Sequence, residues 1–500
     1  MKKFQWAGRG TLAVLSVVGF LAAGAYAQSA VAASDSGGAA AASDAGGAAP
    51  PDGGQSGTAG GSNIGEPPTP VSTLPLPYPR LTGAWAQGPL SPSLSERFNE
   101  ALPSWLRFSG EIRERFEGYT GGSFKANNSN DYDLQRVRLG MQITPTSWIR
   151  FYVEAQDARV FGMSPALPPY QKDADLFQAY VELGSQEANG FSVKVGRQQL
   201  SFGNNRFIGD SWWTNVSRTF DGVRAGYQQG RFRVDAFAAS VVIVRDGVID
   251  HHLEGNNLYG VYATTRDIVP HATLDVYQFW NLRPSFALEG LKSGHLDEWT
   301  SGFRWIGALP LNLDYRTEMA YQWGDLSIDK IRAWSGHWVA GYTVKSSRFK
   351  PRTFIEYDYS SGSKNDKDGF DNTFDPIYPS THDKLGLADQ FGWRNIQDYK
   401  AGQEFTFTRK WKLGTAFHDF FLANAHDALY PTRGSFIVDD AKGTAGTHVG
   451  EEFDIQTVYT PTRQTQVDFG LGRVFPGPFL KQLTQGRDYT YPYMSIEYVF

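Results

Sequence analysis

From Trp105 to Phe500 apolar and polar residues alternate with a period of two, and no other feature of this sequence restricts its fold so tightly. Leu106, Phe108, Ile112 and Phe116 interleave with Arg107, Ser109, Glu111, Arg113 and Arg115. The same alternation recurs in Arg136-Val137-Arg138-Leu139, from Ile149 to Ala155, in Phe191-Ser192-Val193-Lys194-Val195 and in Arg231-Phe232-Arg233-Val234-Asp235. A strand sends successive side chains to opposite faces, so each such stretch has one greasy face and one wet face. About 18 of these segments can be counted, each near the ten residues that a tilted strand needs to cross hydrocarbon.

The connections sharpen this reading. Short ones, such as Thr144-Pro145-Thr146-Ser147, Gln229-Gly230, Ala308-Leu309-Pro310, Arg409-Lys410 and Pro461-Thr462-Arg463, alternate with long ones. The long ones are expected at 118–132, 159–173, 199–217, 282–296, 361–399, 423–446 and 474–488. Outer-membrane barrels have short periplasmic turns and long external loops, so strict alternation predicts an even strand number and periplasmic termini. A soluble sandwich or propeller has no reason for such parity. The expected fold class is therefore all-β: a transmembrane antiparallel β-barrel of about 18 strands spanning 105–500.

Composition agrees. A mean hydropathy of −0.39 looks soluble, yet 14% aromatic residues, 54 glycines and no cysteine suit no disulfide-held secreted domain. A barrel needs only every second residue apolar and collects aromatics at its rims. Trp148, Tyr227, Trp305, Trp411, Tyr459 and Tyr498 fall near expected strand ends, as an interfacial girdle requires. A net charge of −5 is too small to argue for nucleic acid or any strongly charged partner, and no nucleic acid is expected.

The N-terminus reads as an export signal over 1–27: Lys2, Lys3 and Arg9, an apolar stretch from Leu12 to Ala23, then Ala25-Tyr26-Ala27. A membrane anchor is the competing reading, and the apolar stretch is short for one. Residues 28–80 are rich in Ala, Gly, Ser and Pro and cannot bury enough apolar area to offset backbone entropy. They read as a disordered spacer, or else a peptidoglycan- or partner-binding tail. Residues 81–104 form a periplasmic lead-in, where Ser93-Leu94-Ser95-Glu96 has capping-box spacing for a short helix closed by Pro103. The last segment, Tyr493 to Phe500, alternates and ends on an aromatic, resembling the signal read by the barrel-assembly machinery of Gram-negative bacteria. Outer-membrane lipid and lipopolysaccharide are the surroundings such a barrel implies.

If apolar positions face lipid, the alternate ones line a pore. Basic candidates gather early: Arg107, Arg113, Arg115, Arg136, Arg138, Arg150, Lys194, Arg224, Arg231 and Arg233. Acidic ones dominate late: Asp314, Glu318, Glu356, Asp358, Glu404, Glu452, Asp454, Asp468 and Glu497. Either the two walls set up a transverse field that orients polar solutes, or the charges pair and stiffen the wall. The 361–399 connection, with Phe391 and Trp393, is expected to fold inward as a constriction, with an external flap as the alternative. Its Asn365 to Asp371 run faintly resembles a calcium loop but lacks the bidentate glutamate, which favours a solvated acidic turn. Nine histidines are scattered without paired ligand spacing, and Ser240, His337 and His418 are too isolated for a barrel lipase. No enzyme, cofactor or metal site is expected. A non-conducting adhesin or structural anchor is the third class, and absence of bilayer current would mark it.

Several motifs together resemble the alginate-export family of outer-membrane porins. They are Gly196-Arg197-Gln198, Arg218-Thr219-Phe220-Asp221-Gly222, Phe374-Asp375-Pro376-Ile377-Tyr378-Pro379 with His382, and Gly386 through Asn395. Gly450-Glu451-Glu452-Phe453-Asp454 and Gly477-Pro478-Phe479-Leu480-Lys481 complete the series in order over roughly 105–500. The resemblance implies an 18-stranded monomeric barrel, and an arginine-rich lumen that passes an anionic polysaccharide. The mixed charge of this lumen departs from that pattern, so other polar solutes, as in a general diffusion porin, stand beside the polysaccharide as cargo.

Overall fold

The computed structural model describes residues 94–500 apart from 164–168, 185–188, 246, 289–291, 366 and 433–436. The expected signal peptide 1–27, the spacer 28–80 and the first part of the lead-in lie outside the described residues. A helix occupies Leu94–Glu100, and the strands begin at Leu106.

Eighteen long strands follow. They are β1 (Leu106–Thr120), β2 (Ser129–Thr146), β3 (Ile149–Phe161), β4 (Lys172–Gly184), β5 (Gly190–Gln198) and β6 (Phe220–Gln229). Next come β7 (Phe232–Ile243), β8 (Asn257–Arg266), β9 (Ala272–Leu288), β10 (Lys292–Leu309), β11 (Leu313–Leu326) and β12 (Asp329–Thr343). The last are β13 (Arg352–Ser360), β14 (Ile396–Thr408), β15 (Trp411–Leu422), β16 (His448–Tyr459), β17 (Thr465–Pro476) and β18 (Tyr489–Val499). Each pairs antiparallel with its sequence neighbours, and β1 closes on β18 with Glu111 opposite Val499 and Phe116 opposite Met494. The seam is extended by Phe500, which exchanges backbone hydrogen bonds with Gly110 at 2.8 and 2.9 Å. Closure leaves no open edge, which is what a sheet in lipid requires. No helix among the described residues is long and apolar enough to cross a membrane.

The period of two is visible in the burial. On β1, Ile112 and Phe116 are exposed while Glu111, Arg113, Arg115 and Glu117 are buried. On β3, Phe151 and Val153 face out while Tyr152 and Glu154 are buried. The outer surface is thus apolar and the interior carries the charges, the reverse of a soluble protein.

Strict alternation of short and long connections fails in three places. The expected long loop 282–296 is instead a continued hairpin, with β9 and β10 paired from Arg283–Leu296 out to Leu288–Lys292. The β-ladder there outlasts the membrane-crossing length, so the break in alternation around Pro284 did not mark the end of the strand. Only 327–328 separate β11 from β12 on the same side, and the stretch 344–351 is comparatively long for the opposite side. A further long connection, 244–256, joins β7 to β8.

Candidate functional site

The barrel interior is largely occupied by its own loops. Residues 199–219 and 374–396 contribute Phe207, Ile208, Trp213, Phe374, Phe391 and Trp393 to a buried apolar cluster shared with the strand residues Tyr277, Phe279, Phe420 and Tyr493. Phe207 contacts the rings of Tyr277, Phe374 and Trp393 at 5.4–5.9 Å. Burying these rings inside the wall stabilises the inserted loops, at about 1.5–3 kcal/mol per large apolar side chain.

The two loops are bonded to each other by their backbones. Gly209 N donates to Tyr378 O (2.9 Å), Tyr378 N to Phe207 O (2.9 Å) and Ser380 N to Asn205 O (2.7 Å). Arg218, buried at the start of the family-like motif, donates one nitrogen to the carbonyls of Gly209, Tyr378 and Pro379. The third long loop joins them where Gly392 N donates to Tyr430 O. Asp427 there accepts from Ser363 N and from the Thr373 hydroxyl, both at 2.7 Å.

Wall charges hold this assembly in place. Arg113 donates to the carbonyls of Trp212 and Thr214 at 2.8 Å. Arg136 reaches Thr214 O at 2.9 Å, and Arg138 reaches Ser217 Oγ at 2.5 Å, while both pair with Glu111. Arg115 pairs with Glu117 and lies 3.8 Å over the Trp213 ring, which stacks on His382 from the other loop at 3.7 Å. On β16, three strands from β1 around the closed barrel, the carboxylates take the complementary part. Glu452 accepts from Ala388 N at 2.8 Å and Asp454 from Leu387 N at 3.0 Å. Cations of β1 and β2 thus bind loop carbonyls, and anions of β16 bind loop N–H groups. Charge-assisted bonds of this kind are roughly twice as strong as neutral ones.

The remaining expected pore residues pair within the wall. Arg150 and Lys194 flank Glu182 at 3.3 and 3.9 Å. Arg224 and Arg233 share Asp235 at 2.9 and 2.6 Å. Asp314 and Glu404 meet at Arg352. Glu318 accepts from the Tyr277 hydroxyl, and Asp468 from Gln466. Glu356 and Asp358 hold Arg206, a residue of the 199–219 loop. Arg107, half-buried at the start of β1, donates to Pro103 O. Arg231 is a correction: it sits exposed in the turn between β6 and β7, with its guanidinium 3.3 Å from Asp267 O. The alternation at Arg231-Phe232-Arg233 begins before the strand does, and its first step belongs to the turn.

Among the described residues, two groups have metal-ligand types close together, with ligating atoms within 4.8 Å: His337, Glu356 and Asp358 inside, and Asp419, His448 and Glu451 on β15 and β16. Arg206 fills the first. In the calcium-like run, Asp366 lies outside the described residues; the Asn365 and Asp368 side chains accept from backbone N–H groups two residues on, as turn caps.

The expected pore residues left out Glu111 and Asp235, which the alternation marks, and Glu182 and Arg352, which lie on the same wet faces. They also left out Arg206 and Arg218, which no periodicity marks. The adjacent Trp212-Trp213 in a loop, away from any rim, was the available signal for an inserted segment.

A family model described as alginate export matches residues 104–492. Among solved structures, the chain is similar to Pseudomonas aeruginosa OccK11 (OpdR), at 12% identity and a TM-score of 0.53, covering 79% of this chain and 96% of that one. It is likewise similar to the Pseudomonas aeruginosa outer membrane protein opdK, at 10% identity and a TM-score of 0.53, covering 79% and 98%. OpdK solved with vanillate gives 11% identity, with the same TM-score and coverage. At these identities the likeness is one of fold. No curated protein sequence matches.

Proposed function

The chain belongs to the alginate-export family and is an outer-membrane channel; from that premise, we propose that it passes small polar solutes through a narrow path beside its inserted loops, rather than a polyanion along a bare cationic track. The carrying observation is the state of the wall arginines. Arg113, Arg136, Arg138, Arg150, Arg224 and Arg233 each meet a carboxylate or a loop carbonyl. A uronate polymer must exchange its hydration for unmatched cations along its route. A lumen whose cations are already matched supports solute passage with little charge preference.

The family match favours a second reading, in which the loops withdraw and Arg113, Arg136 and Arg138 become the track for an anionic polysaccharide. The reversal potential of single channels in a salt gradient separates the two. The first reading expects weak selectivity of either sign. Strong anion selectivity that Arg136→Gln with Arg138→Gln abolishes would replace it with the polysaccharide. A barrel that carries no current would instead be a structural anchor.

The proposal includes the setting: export directed by 1–27, both termini in the periplasm, and a barrel that works as a single chain. The alternating β18 and Phe500 would be offered to the barrel-assembly machinery, and the apolar outer face to lipid and lipopolysaccharide.

A further inference from the structure

We propose that His337, Glu356 and Asp358 form a guanidinium-binding niche, filled in this structure by the chain's own Arg206 and open to a guanidinium-bearing solute when the 199–219 loop withdraws. The inference rests on the channel reading for its biological use, though the niche itself does not depend on conduction.

One terminal nitrogen of Arg206 hydrogen-bonds in the niche and the other forms an ion pair. The ion-paired nitrogen lies 3.0 Å from Asp358 Oδ1. The other lies 3.3 Å from Glu356 Oε1 and 2.8 Å from His337 Nδ1. The face of Trp393 lies 5.0 Å from the guanidinium carbon. Arg206 is 3% exposed, and His337 and Asp358 are fully buried. His337 and Asp358 are direct register partners on β12 and β13, so the seat is built on rigid sheet while its occupant comes from a loop. Two carboxylates set for two nitrogens, with an aromatic face alongside, discriminate a guanidinium from an ammonium, which is a point charge without a fork.

The other charges facing the niche matter to the exchange. Lys400 Nζ lies 3.6 Å from the second oxygen of Glu356, and Arg316 is near enough to act on both His337 and Glu356. Withdrawing Arg206 alone strips a buried carboxylate pair of its fork partner, a change that commonly costs several kcal/mol. A solute guanidinium replaces it like for like and removes that cost; a neutral solute does not. Arg206 is also flanked by the two residues whose carbonyls bind the 361–395 loop, Asn205 and Phe207. Its exit therefore loosens the contact between the inserted loops, and the ligand favours the withdrawn state because only that state can bind it.

The test is a calorimetric titration of the detergent-solubilised full chain with L-arginine amide and with L-lysine amide. Arg206→Ala leaves the niche vacant and should bind arginine amide at least ten-fold more tightly than lysine amide. The same variant carrying Glu356→Gln and Asp358→Asn should lose that preference, and the wild-type chain should bind arginine amide at least ten-fold more weakly than Arg206→Ala. Equal binding of the two amides by Arg206→Ala, or an unchanged preference in the triple variant, overturns the niche. If Arg206→Ala does not fold, Arg206→Lys is titrated instead, since it keeps a charge but vacates the fork; absence of an arginine-amide preference there overturns the proposal equally. Bilayer current is measured on the same preparations. Silence there with selective binding refutes the channel reading and leaves the niche standing.

Discussion

Replacing Arg113 by Met tests whether wall charges, and not ring packing alone, keep the 199–219 loop inside the barrel. Met preserves most of the apolar stem and removes the two bonds to the carbonyls of Trp212 and Thr214, each 2.8 Å long. Hydrogen bonds to a charged donor contribute about 1.5–3 kcal/mol each, so the pair is worth at most about 3–6 kcal/mol. Both carbonyls rehydrate once the loop lifts into a water-filled lumen, which leaves about 2–3 kcal/mol as the difference between docked and lifted states. That shifts the lifted population by roughly 30- to 150-fold. The chain contains no cysteine, so Val216→Cys, at a position 3% exposed when docked, is a clean reporter. Its maleimide labelling should accelerate by that factor in Arg113→Met, with the strand signal in circular dichroism unchanged. An unchanged labelling rate in a folded barrel would show that aromatic packing holds the loop without the arginine.

A Cβ built on Gly110 would lie 2.3 Å from the Phe500 ring, so Gly110→Val should push that ring off the β1–β18 seam and lower the temperature at which the barrel loses its heat-modifiable gel mobility. Asp440, in the loop between β15 and β16, is drawn below the usual carboxylate range, first by the Ala445 backbone N–H and then by Thr444 and Lys442. The turn it closes is therefore fully stabilised above the unfolded carboxylate value and is lost as pH falls through the lowered folded one. Amide exchange at Ala445 should stay slow to about pH 4 and quicken below it, and Asp440→Ala should make it fast throughout. A cysteine replacing the exposed Lys367 should label from outside intact cells and one replacing Thr146 should not; the reverse would invert the proposed orientation.

The wall was legible in the sequence because one rule governs it. Lipid imposes an apolar residue at every second position, and Ile112, Phe116, Leu139 and Phe151 obey it. Parity therefore also found the face on which Arg113, Arg136, Glu452 and Asp454 lie. It said nothing of their partners, because a strand's period fixes the direction of a side chain and not what stands before it. The partners belong to loops whose apolar residues, such as Phe207, Trp213 and Phe391, follow no period, since they pack into a closed interior from several sides. The 282–296 stretch failed for a different reason: Pro284 and Gly290 to Gly294 interrupt the alternation, yet the residues around them remain paired sheet.

The bonds that seat the loops join distant parts of the chain, whereas those that build the wall mostly join neighbouring strands. Arg113 meets Thr214 across 101 positions, Leu387 meets Asp454 across 67 and Arg218 meets Tyr378 across 160. Closing such spans costs entropy before any contact repays it, so hairpins are expected to assemble first and the loop seats last. We predict that refolding passes through a hollow cylinder, seen as strand signal that completes before the Trp213 fluorescence settles against Arg115; simultaneous signals would exclude it. The hollow cylinder is then the last stage before the native fold, so the final step of assembly is the one that narrows the lumen.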